Sequence, residues 1–142
     1  MINVDISRGP YVQAALLCDR VLREDNGRVT IVGLLDRVVA RPKEPDVEVP
    51  ATQVSCHAVV ILKTGSNPGT YKLKLLVKSP SNRPLREFSL DVVLPDEEDK
   101  GINVVMPISF SAREEGVYWI EVRLGELDLP LTKTSLRLVL RK

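Results

Sequence analysis

Side chains that do chemistry are scarce in this sequence. Its 142 residues include one histidine, two cysteines, one tryptophan, three tyrosines and two phenylalanines. Two cysteines, Cys18 and Cys56, cannot frame a disulfide scaffold, so reduced, strand-borne thiols inside a cell are expected. The lone His57 directly follows Cys56; adjacent strand residues point to opposite faces, so these two cannot serve as base and nucleophile together. Cys18 could approach His57, but no acid partner or nucleophile-elbow glycines accompany it. Zinc would need a fourth ligand and a Cys-x-x-Cys or His-x-x-x-His spacing, and neither occurs. No glycine-rich phosphate loop is present. No apolar run nears the ~18 residues of a spanning helix, and the opening Met1–Arg8 lacks the basic and apolar segments of an export signal. Charge of one sign is missing too. Twenty Lys and Arg against 19 Asp and Glu leave +1, which marks neither nucleic acid nor a membrane as partner. The expectation is a cytoplasmic protein with no catalytic, cofactor-binding or metal-ligating residues.

What the chain does hold is alternation of apolar and polar residues, the strand period. A loose arm is expected over residues 1–10 and a single β-sandwich domain over 11–142, long enough to bury its own core. From Val12 to Arg23 a helix competes, since Ala and Leu favour one. Asn26-Gly27, the strongest short hairpin signal, argues for strands instead. A two-residue turn there sets Asp25 opposite Arg28 and Leu22 opposite Ile31. It also puts Cys18, Leu22, Val29, Ile31 and Leu35 on one face, with Arg20 opposite Gly33. Three prolines make residues 41–50 the longest irregular connection. Val54, Cys56, Ala58, Val60 and Leu62 share one face of the next strand, Gln53 to Lys63. Tyr71 to Val77 and Phe88 to Leu94 read as a hairpin; pairing Val77 with Phe88 places Lys74 beside Asp91 and Lys78 beside Glu87.

Ile102, Val104, Met106, Ile108 and Phe110 form another alternating strand, interrupted by Pro107. Paired with 117–124 in the register that aligns their apolar faces, Pro107 would owe Glu121 an N–H it lacks, so the two strands belong in different sheets. Tyr118, Ile120, Val122 and Leu124 then alternate with Val117, Trp119, Glu121 and Arg123. Gly125-Glu126 reads as a two-residue turn, setting Leu124 opposite Leu127, Val122 opposite Leu129, Ile120 opposite Leu131 and Arg123 opposite Asp128. A last strand, Ser135 to Arg141, turns Leu136, Leu138 and Leu140 inward. Eight or nine strands without a helix mean a sandwich or a barrel. Glu114-Glu115-Gly116-Val117-Tyr118 resembles the tyrosine corner of immunoglobulin-like Greek-key sandwiches, which implies an antiparallel two-sheet fold.

Leu16-Leu17-Cys18-Asp19-Arg20-Val21 with Asn26–Leu34, and Gly116-Val117-Tyr118-Trp119 with Leu131-Thr132, carry a second resemblance. They are similar to a group of small bacterial proteins known only as a domain of unknown function. The resemblance implies a cytoplasmic bacterial protein and brings no activity or site residue with it.

Function is therefore expected of a surface. Trp119 has outer parity beside Glu121 and Arg123, and Trp and Arg dominate interface energetics, so it is the expected contact anchor for a protein partner. The opposing reading is that the 41–50 loop or the N-terminal arm covers it. An unpaired sheet edge is the other route, by strand addition. Asp96-Glu97-Glu98-Asp99 could hold calcium, but without a regular ligand spacing it reads better as a solvated loop. Arg41-Pro42-Lys43-Glu44-Pro45 matches a bare Pro-x-x-Pro pattern and reads better as a connector. The expected function is a non-catalytic binding or assembly module. The alternatives are an enzyme using Cys18 or Cys56 as nucleophile and a carbohydrate-binding or adhesin-type sandwich.

Overall fold

Alternation becomes nine strands, with no helix among the described residues, which are 9–41, 51–97, 100–125 and 130–141 of the computed structural model. In chain order these are β1 (Tyr11–Arg23), β2 (Val29–Leu34), β3 (Arg37–Ala40), β4 (Thr52–Lys63), β5 (Gly69–Lys78), β6 (Pro84–Leu94), β7 (Gly101–Ala112), β8 (Gly116–Leu124) and β9 (Thr132–Leu140). The segment in which a helix competed is β1. One sheet has the order β2-β1-β4-β7; the other is β3-β9-β8-β5-β6, in which β3 and β9 run parallel. Val60, Leu62 and Phe110 of the first sheet and Leu75, Tyr118 and Leu136 of the second belong to one core and are each 3% exposed or less. Full burial of such a side chain is worth roughly 1.5–3 kcal/mol, which is why the alternation dictates which faces meet.

Tyr118 identifies the sandwich. It follows the crossing from β7 to β8, and its hydroxyl donates to the Glu114 C=O at 2.6 Å while accepting from the Glu114 N–H at 3.1 Å. Its ring lies against Phe110, centroids 5.5 Å apart. That is the tyrosine corner, and the fold is an immunoglobulin-like β-sandwich. β7 and β8 lie in different sheets, as Pro107 requires. The proline sits on an edge strand, opposite His57 of β4, where a missing N–H breaks no ladder bond.

Three registers differ from expectation. β1 and β2 pair Val21 with Ile31 and Leu22 with Thr30, so the connecting loop has three residues. Glu24 C=O accepts from the Gly27 N–H at 3.0 Å, Glu24 N–H donates to the Arg28 C=O at 2.9 Å, and Gly27 holds φ 83°. This is a type I turn closed by a left-handed glycine, and the Asn26 side chain supports it by accepting the Arg28 N–H at 3.0 Å. A one-residue slip exchanges faces. Leu17 reaches the core, while Leu22, 47% exposed, shares the outer face with Cys18. Arg20 faces Val32, not Gly33; a Cβ at Gly33, which has φ 71°, would come within 2.9 Å of the Asp19 Cβ.

β5 and β6 pair Leu75 with Phe88, two residues from the expected register. The faces are unchanged, but Lys72 now faces Asp91 and Leu76 faces Glu87, while Lys78 reaches Glu121 of β8 at 3.1 Å. The cause is a tight turn in which Ser79 N–H donates to the Arg83 C=O, with a bulge between Val77 and Lys78.

β8 pairs Tyr118 with Leu136, Ile120 with Thr134 and Val122 with Thr132, so Ile120 does not face Leu131 and the expected register does not hold. The expected register would have put Lys133 opposite Tyr118 on the core face. The observed one buries Leu136 and Leu138 instead. The expected separate strand from Ser135 is the body of β9. Leu127, Asp128 and Leu129, and with them the Arg123–Asp128 pair, lie outside the described residues, as do residues 1–8 and the prolines of 42–50.

Candidate functional site

β8 turns four apolar residues inward, and the same alternation turns Trp119, Glu121 and Arg123 outward. Trp119 is 38% exposed, and the Lys133 Nζ of β9 lies 4.4 Å from its ring centroid. Lys78 is its cross-strand neighbour on β5. The tryptophan is thus neither bare nor covered among the described residues; a cation lies over the ring, which keeps an accessible surface.

Beside it Glu121 accepts from Arg123 Nη2 at 2.8 Å and pairs with Lys78 Nζ at 3.1 Å. Burial pushes the Glu121 carboxyl up, but the hydrogen bonds and charges of Arg123 and Lys78 outweigh it and hold the group below its ordinary range. The Arg123 Nε is buried with no hydrogen-bond partner among the described residues. The register places Lys72, Lys74, Lys78, Arg123, Lys133 and Arg137 on this outer face against Glu87, Asp91 and Glu121. A chain of net charge +1 thus concentrates basic side chains around its one tryptophan.

The thiols and the histidine are arranged differently. Cys18 pairs with His57 across β1 and β4 on the outer face of the other sheet, while Cys56 faces the core. His57 Nδ1 lies 3.0 Å from the Asp19 carbonyl oxygen, so the ring is held by backbone. Cys18 is 0% exposed; burial, then the neighbouring Asp19 charge, push its thiol up. Cys56 is pushed up to about 11 by burial and then by Cys18. Raised thiol pKa values disfavour the thiolate that nucleophilic or ligating cysteines need. No group of three His, Cys, Asp or Glu residues capable of holding a metal occurs among the described residues. Glu98 and Asp99 of the acidic run, and Pro42 to Pro45 of the Pro-x-x-Pro stretch, lie outside them.

Sequence reasoning missed a cleft of about 400 Å³ beside the tyrosine corner, lined in part by Ser79, Ser81, Arg83, Ser111, Arg113 and Glu114. Arg83 N–H donates to Ser79 Oγ, Ser79 and Ser81 hydroxyls lie 3.0 Å apart, and Ser81 donates to Glu114 Oε2 at 2.9 Å. Because Ser81 gives its proton to the carboxylate, Ser79 must donate to Ser81. The chain of hydroxyls ties the β5–β6 loop to the corner. The sequence signal was the Ser79-Pro80-Ser81-Asn82-Arg83 turn, in which Asn82 holds φ 64°.

No curated protein matches the chain. Among solved structures it is similar to a glycosyl hydrolase family 2 member from Bacteroides cellulosilyticus, with TM-score 0.48 and 15% identity over 61% of this chain and 14% of that one. The chain thus spans about 14% of that protein's length. It is also similar to an immunoglobulin-like protein from Pseudomonas aeruginosa, with TM-score 0.45 and 14% identity over 92% of this chain and 96% of the other. A family model matches residues 13–139, from β1 to β9, and by that match the chain belongs to the family of unknown function DUF6941.

Proposed function

We propose that this protein is a non-catalytic binding module whose five-stranded sheet receives an acidic segment of a protein partner on its outer face around Trp119. The observation that carries the reading is a part-exposed tryptophan with Lys133 over its ring, set among basic residues of β5, β8 and β9. An aromatic anchor supplies contact area, and surrounding cations supply steering and selection against basic partners. Two fully or nearly buried thiols of raised pKa favour this reading over a cysteine-dependent enzyme.

The test uses a fluorescein-labelled glutamate-rich peptide and its lysine-rich counterpart, read by anisotropy. Saturable binding of the acidic peptide is expected, weakening as salt rises and falling at least about tenfold in Trp119→Ala, a loss typical of an interface anchor. Equal binding of both peptides, or an acidic-peptide affinity indifferent to Trp119→Ala and Lys133→Glu, rules the reading out.

A further inference from the structure

The four sheet edges differ in how they refuse another strand, and one is guarded by neither proline nor charge. A free edge offers unpaired N–H and C=O groups to any neighbouring chain, and natural edges are guarded by prolines, charges, bulges or brevity. On β7, Pro107 has no N–H to offer, and the outward C=O of Ser109 is taken by Arg86 Nη1 at 2.9 Å. β6 carries Pro84, Arg86, Glu87 and Asp91. β3 is four residues long and starts at Arg37. β2, Val29-Thr30-Ile31-Val32-Gly33-Leu34, contains no proline and no charge, is regular from Val29 to Val32 ahead of the left-handed Gly33, and among the described residues its one neighbour is β1.

The hairpin geometry says which atoms that edge presents. Glu24 N–H donates to the Arg28 C=O, so residues 24 and 28 form a hydrogen-bonded pair. Antiparallel ladders alternate, which makes 22/30 and 20/32 hydrogen-bonded pairs as well. Val29 and Ile31 therefore turn their N–H and C=O groups away from β1.

We infer that β2 pairs antiparallel with β2 of a second copy of this chain, about a two-fold axis at Ile31. The two Ile31 residues exchange both backbone bonds, and Thr30 of each copy faces Val32 of the other. An uncharged edge meets an uncharged edge, and Arg28 comes opposite Leu34 instead of another cation. A two-fold contact uses the same edge on both copies and closes on itself, so association stops at the dimer. The four-stranded sheets of the two copies become one continuous sheet, with Leu22 and Leu34, 47% and 70% exposed, on its outer face. The basic face around Trp119 is on the other sheet, so this pairing stands apart from the proposed binding role.

Sedimentation velocity of the full chain at roughly 100 μM should give the mass of two copies. Ile31→Pro copies the device seen at Pro107, removing an outward N–H while leaving the β1 ladder intact. It should return the protein to the mass of one copy with its strand spectrum retained. Hydrogen exchange of the unaltered protein decides the matter should that variant not fold. The Ile31 amide is expected to be slow at high concentration and fast on dilution, while the Thr30 amide stays protected throughout. A one-copy mass at that concentration, a two-copy mass in folded Ile31→Pro, or an Ile31 amide indifferent to dilution overturns the inference.

Discussion

Cys56 shows how one side chain records its surroundings. It lies on the core face of β4, 5% exposed, and its thiol is pushed up to about 11 by burial and then by Cys18. An unfolded thiol titrates near 8.5. A folded value above the unfolded one means that the neutral thiol is the form the fold favours. Its contribution is present in full below about pH 8.5 and disappears as pH rises toward 11. Urea unfolding from pH 7 to pH 10.5 should show a decline that is steeper in the unaltered protein than in Cys56→Ala. The unaltered protein should also react slowly with a small thiol reagent at pH 8. Parallel declines in the two proteins, or a fast thiol assigned to Cys56, would contradict this account of the site. The face of Cys56 was legible in the sequence, because Val54, Ala58, Val60 and Leu62 share its parity. The approach of Cys18 to His57 stood in the sequence only as a possibility, since it depends on a register between β1 and β4 that no local pattern encodes.

At the scale of the element, strands and inward faces were legible, and hairpin registers were not. A strand's face follows from its own period, whereas its register depends on how many residues the turn consumes. Asn26-Gly27 fits two kinds of loop. The structure uses the three-residue one because Gly27 alone takes the left-handed conformation while Asn26 binds the Arg28 N–H. Gly27→Ala is therefore expected to cost about 1 kcal/mol, the strain of a β-carbon at φ 83°, with open space around it excluding a clash. Gly27→Asn, a residue that tolerates this conformation, should cost less. Chemical denaturation of the three proteins checks the order; equal stability of the alanine and glycine forms would contradict it. For β8 and β9 the lesson is different. Leu127, Leu129 and Leu131 offered a tempting local partner, yet burying Leu136 and Leu138 in place of Lys133 and Ser135 decided the pairing. Core formation outvoted the short turn.

For the molecule as a whole, two residues are enough to locate the sheet crossing. Pro107 forbids one pairing, and Tyr118 marks the corner. The basic face and the cleft beside that corner were less legible, because each gathers side chains from several strands. Trp119, Glu121 and Arg123 announced themselves as successive outward positions of one strand, and Lys74 and Lys78 as outward positions of another, but nothing local joined the two strands. Lys133 arrives over the tryptophan through the β8–β9 register, the very quantity local sequence leaves open.

The parallel seam between Arg37–Ala40 and Arg137–Leu140 also governs the order of assembly. A ribosome delivers the first of these segments long before the second. Until β9 has been made, Val38 and Ala40 have no strand among the described residues to join. In pulse-labelled refolding their amides should gain protection together with those of Leu136 and Leu138; earlier protection of Val38 alone would mean a different docking order. Pairings so distant in sequence slow a fold's completion, so this sandwich is finished by its latest strand, and a nascent chain lacking β9 has its β3 edge still waiting.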